Sequence, residues 1–439
     1  MTIYFVGIGG AGLSPMAQLA QDCGYWVTGS DRTSSLGTQA VEARGVFVDY
    51  LQDGRYLQNL HREKRVDWVV HTAACLPDHP ELEYARKAGI RVSKRDEFIN
   101  HVAEVKNLKI IGIAGTHGKT TTTSMCNWVL TKLGIPHAHL VGSTLSFGPA
   151  ARYQEKAEYL FIEADEFDRN FLHFHPSSSV ITNIDFDHPD IYASPTDYFQ
   201  AFAQYIHQNK SSVWLWQEDW LRVKPFLKSE NHLALDLSNA EIQTQIQNIK
   251  LFGFHNRTNA YLAFKLLQSL YDLDPELIYA TLATFPGAKR RMEQIIPGLW
   301  SDYAHHPVEV RASLQMAKET CREVVVIYQP HQNLRQHEIM ALYGGYRDAF
   351  DSAYTVYWLP TYLSREDPGL EILTPQNLVA AIPTNSHIRL IESVFDLESE
   401  IARHLRAGRM VLAMGAGSID GAIRKLARSL EAKKPLKVA

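Results

Sequence analysis

Cysteine is scarce in this chain. Four thiols, Cys23, Cys75, Cys126 and Cys321, are spread over 439 residues with no CxxC pair. That spacing argues against a disulfide framework and a thiolate zinc site; free, buried thiols in a reducing cytoplasm are the expectation. Long apolar runs are missing too, and no stretch approaches the length of a membrane-crossing helix. The opening residues, Met1-Thr2-Ile3-Tyr4-Phe5-Val6, read as a strand and lack the charged leading region of a secretion signal. A net charge of −4 gives no general attraction for nucleic acid or anionic membrane, so any anion site must be local. There is no internal repeat and no low-complexity segment. What remains is an ordinary globular composition, 45% hydrophobic and 21% charged, in a chain long enough for two or three domains.

The strongest positive feature is Ile110-Ile111-Gly112-Ile113-Ala114-Gly115-Thr116-His117-Gly118-Lys119-Thr120-Thr121. An apolar β-branched run predicts a buried parallel strand. Two glycines then turn the chain into Ser124–Leu130, which has helical spacing. A strand, a glycine turn and a helix start aim backbone N–H groups and the helix dipole at one concavity, and that geometry binds phosphate. Lys119 is placed to reach the β- and γ-phosphates and the Thr120 hydroxyl to meet Mg²⁺. The common P-loop pattern wants its first glycine where this chain has Ile113; Gly112 and Gly115 flank that position instead.

Before this centre, Ile3–Val6 runs into Gly7-Ile8-Gly9-Gly10-Ala11-Gly12, which satisfies G-x-G-x-x-G, and Leu13–Cys23 reads as a helix. A second strand, Trp26-Val27-Thr28, ends in Gly29-Ser30-Asp31, placing a carboxylate where dinucleotide-binding units hold ribose. A nicotinamide dinucleotide and a UDP-sugar offer this turn the same pyrophosphate, so a hydride-transfer enzyme stays open here. Trp68–His71, followed by Thr72-Ala73-Ala74, and Arg91–Ser93 add strands, giving a doubly wound α/β unit over residues 1–105.

After it, over residues 106–287, Val141–Gly148 is a glycine-bounded loop that could face a ligand. Tyr159–Ile162 delivers Glu163-Ala164-Asp165-Glu166-Phe167-Asp168 at a strand end, where Mg²⁺–phosphate needs an acidic oxygen. Glu163 is the favoured ligand. A strand over Ser179–Ile184 ends in Asp185-Phe186-Asp187-His188, a position for a second metal or a phosphate-facing His. His255-Asn256-Arg257-Thr258-Asn259 precedes the helix Tyr261–Leu270; Asn256 could cap that helix, or the amides could meet a purine edge. The last stretch, 288–439, carries Lys289-Arg290-Arg291, then Asp302-Tyr303-Ala304-His305-His306-Pro307 before the helix Val308–Thr320. Strands over Val324–Tyr328, Tyr354–Leu359 and Arg409–Met414 make it a second Rossmann-like sheet, with Gln329–Arg335 after the first of them.

Taken in order, Gly115–Thr121, Glu163-Ala164-Asp165-Glu166, Asp187-His188, His255-Asn256-x-x-Asn259, Arg290-Arg291 and Asp302–Pro307 closely resemble the bacterial Mur ligases, essentially end to end. The resemblance implies three α/β domains: a Rossmann-like UDP-sugar domain (1–105), a central P-loop ATPase-like domain (106–287) and a Rossmann-like amino-acid domain (288–439). It implies UDP-N-acetylmuramate at Gly9, Gly10, Ala11, Gly12, Ser30, Asp31, Thr72, Ala73 and Ala74. ATP, between the central and C-terminal domains, would meet Gly115, Thr116, His117, Gly118, Lys119, Thr120, Thr121, His255, Asn256, Asn259, Arg291 and Asp302. Mg²⁺ would meet Thr120, Glu163 and His188; the amino acid would meet Tyr303, His305 and Arg335. Lys119, His188, Arg291 and His305 would act at the reacting centre.

Within the family, Val6–Gly12 and Gly29–Asp31 look most like the branch that joins L-alanine to the lactyl carboxylate of UDP-N-acetylmuramate through an acyl phosphate, for cell-wall synthesis. The branch that reattaches a salvaged murein tripeptide is the alternative. The resemblance implies a cytoplasmic enzyme, monomeric or weakly dimeric. Two features depart from the alanine-adding pattern: Gln332 stands where an Arg follows Gln-Pro-His, and Lys289–Glu293 is closer to the recycling branch. No lysine occurs between His188 and Lys210, which speaks against the carbamylated-lysine variant.

Overall fold

The protein is described by a computed structural model covering every residue except Ala11, 73–74, 189–190, 229–231, Arg365 and 433–439. Its described strands form three sheets. The first contains β1 (Thr2–Val6), β2 (Trp26–Ser30), β3 (Val48–Asp49), β4 (Trp68–His71) and β5 (Arg91–Ser93). All are parallel, in the order β3-β2-β1-β4-β5. Every residue of β1 is buried, as a strand covered by helices on both faces requires. Phe5, Trp68 and Phe98 pack edge to face, with centroids 5.6 Å and 5.3 Å apart. The chain leaves β1 toward β2 and later returns on the other side through β4. That reversal of strand order opens a crevice above the β1 and β4 carboxyl ends.

The second sheet holds β6 (Lys109–Ala114), β7 (Ala138–Leu140), β8 (Ala151–Arg152), β9 (Tyr159–Glu163), β10 (Ser178–Ile181), β11 (Val213–Trp216) and β12 (His232–Leu235). Its order is β12-β11-β10-β6-β9-β7-β8, parallel except for the β7–β8 pair. β6 therefore lies between β10 and β9, and the segments leaving all three strands emerge side by side. The third sheet holds β13 (Glu293–Ile296), β14 (Leu299–Asp302), β15 (Val324–Tyr328), β16 (Thr355–Trp358), β17 (Ile388–Leu390) and β18 (Met410–Met414). Its order is β13-β14-β18-β15-β16-β17, with only β13–β14 antiparallel.

Compactness divides the chain in two: Met1–Ile249 with Asn259–Pro286, and Lys250–Thr258 with Gly287–Ala439. Several sequence expectations shift. The helix expected from Tyr261 begins at Phe254, so Asn256 sits inside the first turn and does not cap it. The strand expected to reach Ile184 stops at Ile181, because Thr182 and Asn183 turn back onto the glycine turn that follows β6. Two thiols, Cys23 and Cys126, are buried, and burial pushes Cys126 up to about 12; Cys75 and Cys321 are only half-buried. Among the described residues, no helix is long and apolar enough to cross a membrane.

Candidate active site

The turn after β6 is shaped by its two glycines. Gly115 has φ +125° and Gly118 φ +85°, backbone that L side chains rarely adopt. A Cβ on Gly115 would lie 2.1 Å from Thr182 Oγ1, and one on Gly118 2.6 Å from Asn259 Nδ2. The turn is stitched to the exit of β10. His117 N–H donates to Asn183 Oδ1 at 3.0 Å, while Thr116 Oγ1 donates to the Asp185 carbonyl at 2.7 Å. These bonds fix where the helix Lys119–Lys132 starts, and hence where its N–H groups point.

Lys119 is nearly enclosed. Its ammonium donates to Glu166 Oε2 at 2.6 Å and to the Gly115 and Thr116 carbonyls at 2.7 Å and 3.3 Å. Asp165 lies 3.8 Å away. Burial alone would lower its pKa, but Glu166 and Asp165 more than offset that, and the pKa is raised. The group therefore stays charged. Thr120 Oγ1 donates to Glu163 Oε2 at 3.0 Å, and Gly142 N–H donates to Glu163 Oε1 at 2.7 Å. Burial raises the Glu163 pKa against those two donors. His188, at φ +59°, places Nε2 3.7 Å from Glu166 and 3.6 Å from Asp187. Lys119, Thr120, Glu163 and His188, about 70 residues apart at the extremes, are thus gathered because β9, β6 and β10 are neighbours.

The oxygens of Thr120 and Glu163 are the hard donors that Mg²⁺ takes. Among the described residues no group of three or more His, Cys, Asp or Glu could hold a metal ion, so phosphate and water would complete any shell there. Sequence reasoning did not single out Glu166, Asn183 or Gly142. Glu166 and Gly142 stood there only within the runs Glu163–Asp168 and Val141–Gly148, and Asn183 only within a strand; their contacts with Lys119, Glu163 and His117 come from the structure.

The first glycine turn differs. Gly7 and Ile8 N–H groups donate to the Ser30 carbonyl, Gly10 N–H to the Gly7 carbonyl, and Gly9 N–H to Asp31 Oδ2 at 2.7 Å. Asp31 thus braces the turn. Ser30 Oγ donates to the fully buried Glu81, which also accepts the Tyr4 hydroxyl. Thr72 packs on Gly7, joining the ends of β1 and β4. Ala11, Ala73 and Ala74 lie outside the described residues.

In the C-terminal unit, Tyr303 and His305 meet edge to face at 5.6 Å, and the Arg290 and Arg291 guanidiniums lie 4.6 Å and 5.1 Å from the Tyr303 ring centre. Glu309, which sequence reasoning passed over, is 3.3 Å from His305 and 4.0 Å from Arg291. Asp302 is spent locally, accepting from Met292 and Ala304 N–H and Ser313 Oγ. It thereby holds the Arg290–Met292 turn, in which both ends have positive φ. Arg335 pairs with Glu338 at 3.5 Å on the helix Asn333–Tyr343. Gln332 immediately precedes that helix at φ +59°. His255 and Asn256 belong to this unit. Asn256 donates to the Phe252 carbonyl and contacts Met316, and burial lowers the His255 pKa. Asn259, by contrast, packs on Gly118.

Comparison with known proteins shows the family. Three family models match in sequence order: the Mur ligase family catalytic domain over 2–107, the Mur ligase middle domain over 113–231, and the Mur ligase glutamate ligase domain over 290–417. The UDP-N-acetylmuramate–L-alanine ligase of Gloeobacter violaceus is 32% identical, covering 98% of this chain and 96% of its own. That of Cytophaga hutchinsonii is 31% identical, covering 97% and 96%. Among solved structures, the UDP-N-acetylmuramate–alanine ligase of Thermotoga maritima superposes with TM-score 0.76 at 24% identity, covering 99% of this chain and all of that one. A murein peptide ligase from Psychrobacter arcticus gives 0.66 at 23% identity, with the same coverage.

Proposed function

The chain belongs to the Mur ligase family, and on that premise we propose that it joins L-alanine to the lactyl carboxylate of UDP-N-acetylmuramate at the expense of ATP. The observation that carries the reading is the convergence of a charged, enclosed Lys119 with the Thr120–Glu163 pair at adjacent strand ends. In the first step a carboxylate oxygen attacks the γ-phosphorus, and the bond to the β-phosphate oxygen breaks, giving an acyl phosphate and ADP. Lys119 leaves Glu166 to follow the charge that builds on the transferring group, and the helix start behind it adds backbone donors. In the second step the amino nitrogen attacks the acyl carbon, the bond from that carbon to the phosphate oxygen breaks, and the nitrogen gives its proton to water or to the departing phosphate. Thr120 and Glu163 would hold Mg²⁺, with His188 beside them, and the bound ion would supply neutralisation of phosphate charge.

Tyr303, His305 and Arg291 form the cluster proposed to receive the amino acid and the leaving phosphate, with Arg335 for the amino-acid carboxylate. His255, Asn256 and Asp302 are proposed as nucleoside-facing groups, and Asn259 as a partner of the P-loop. The domain limits 1–105, 106–287 and 288–439, cytoplasmic location and a monomeric or weakly dimeric state complete the proposal. The test is release of orthophosphate and formation of the amide UDP-N-acetylmuramoyl-L-alanine from ATP, Mg²⁺, UDP-N-acetylmuramate and L-alanine. Turnover with L-alanyl-γ-D-glutamyl-diaminopimelate in place of L-alanine would favour the recycling reaction instead, toward which Gln332 and Lys289–Glu293 lean. No phosphate with either acceptor would reject the reading.

A further inference from the structure

The glycine turn after β1 has used much of its own donor capacity. The N–H groups of Gly7, Ile8, Gly9 and Gly10 all have acceptors within the fold. A pyrophosphate or carboxylate arriving there needs a cation from elsewhere. Arg95, the first residue of the helix Arg95–Val105, is at hand. A Cβ on Gly12 would lie 2.9 Å from Arg95 Nη1, so the guanidinium sits directly against the turn. On its other side Arg95 Nη2 donates to Asp165 Oδ2 at 3.3 Å, and Asp165 Oδ1 is 3.8 Å from Lys119. Three contacts thus link four residues, Gly12–Arg95–Asp165–Lys119, from the nucleotide-sugar turn to the P-loop lysine.

We infer that Arg95 is a substrate-contacting residue: its guanidinium leaves Asp165 and grips an anionic group of the nucleotide sugar lying between Gly12 and Lys119. The inference rests on the ligase reading, since it takes that substrate as the ligand. The pair with Asp165 is about one-third exposed on both sides, and such pairs are worth little as structural ties. A guanidinium held weakly beside an anion site is one that can change partner. Its planar fork fits either source of anion on the substrate, the pyrophosphate or the lactyl carboxylate.

The test is direct titration of the full chain, without ATP, using UDP-N-acetylmuramate and, separately, UDP-N-acetylglucosamine, which keeps the pyrophosphate and lacks the carboxylate. Wild type, Arg95→Gln, Arg95→Lys and Asp165→Asn are compared, with melting temperatures alongside. Arg95→Gln is expected to weaken UDP-N-acetylmuramate about 10- to 100-fold, the loss of a charge-assisted bond. Arg95→Lys should recover part of it. Asp165→Asn should bind as tightly as wild type or more so, because it releases the guanidinium. Weakening toward both ligands identifies the pyrophosphate as the anion, and weakening toward UDP-N-acetylmuramate alone identifies the carboxylate; either supports the inference. Unchanged affinity in Arg95→Gln overturns it. So does an equal loss in Asp165→Asn with an equal drop in melting temperature, which would make Arg95 a tie between sheets. Wild type that binds neither sugar nucleotide overturns the ligase reading itself, before any variant is compared.

Discussion

Two glycine turns in this chain look alike and do different things. Both follow a buried parallel strand and open a helix, at Gly7–Gly12 and at Gly115–Gly118. The first turns its amides inward and leans on Asp31, so charge for a ligand must come from another element. The second carries its own cation, and that cation is buffered by carboxylates from the next strand over. A glycine pattern therefore reports that a phosphate can approach. The flanking strand ends decide whether the phosphate is merely held or is made to react.

Replacing Lys119 by alanine tests that contrast most severely. Phosphate release should fall on the order of 10³-fold, with UDP-sugar affinity measured by titration left intact. A near-normal rate would erase the distinction between the turns. Glu166→Gln should act next most strongly, lowering kcat about 10- to 100-fold by loosening the lysine. Glu166 is also among the groups that raise the Lys119 pKa. Without it, burial draws the ammonium pKa down, so the variant should lose activity at alkaline pH where wild type retains it; a pH–rate profile reads this. Asp31→Ala leaves Gly9 N–H without its acceptor and should raise KM for the nucleotide sugar about tenfold, with KM for ATP unchanged. An ATP effect of equal size would blur the comparison.

The smallest effect concerns the brace beneath the second turn. Asp219 is buried, accepts from Ile184 N–H at 2.9 Å, and is pushed by burial from 3.8 up to about 7. The folded state holds this proton more tightly than the unfolded chain. The resulting stability is complete below about pH 3.8 and lost as pH rises through 7. Asp219→Asn should remove that loss, so its melting temperature relative to wild type should rise between pH 5 and 8. No change in the difference across that range would refute the assignment.

Much of the fold was legible because apolar runs were clean. Val324–Tyr328 was read residue for residue, since all five side chains are buried. Misreadings arose where polar residues serve the site. The run Ser179–Ile184 looked like one strand, yet Thr182 and Asn183 spend their side chains on the P-loop. The polar stretch His255–Asn259 hid a helix start that Gly253, at φ +84°, marks. Of the candidate site, spacing alone named the turn residues proposed to meet phosphate, Gly115–Thr121. Their partners could not be named that way: Arg95 and Asp165 are 70 positions apart, and Lys119 and Glu166 are 47. Only strand order makes them neighbours.

The pairing of Lys119 with Glu166 also sets a rule for inhibitors. A compound that imitates only the nucleoside gains nothing from the lysine, because a carboxylate already satisfies it at 2.6 Å. To win that cation a molecule has to present an anion denser than a single carboxylate, and it has to leave Glu166 somewhere to go.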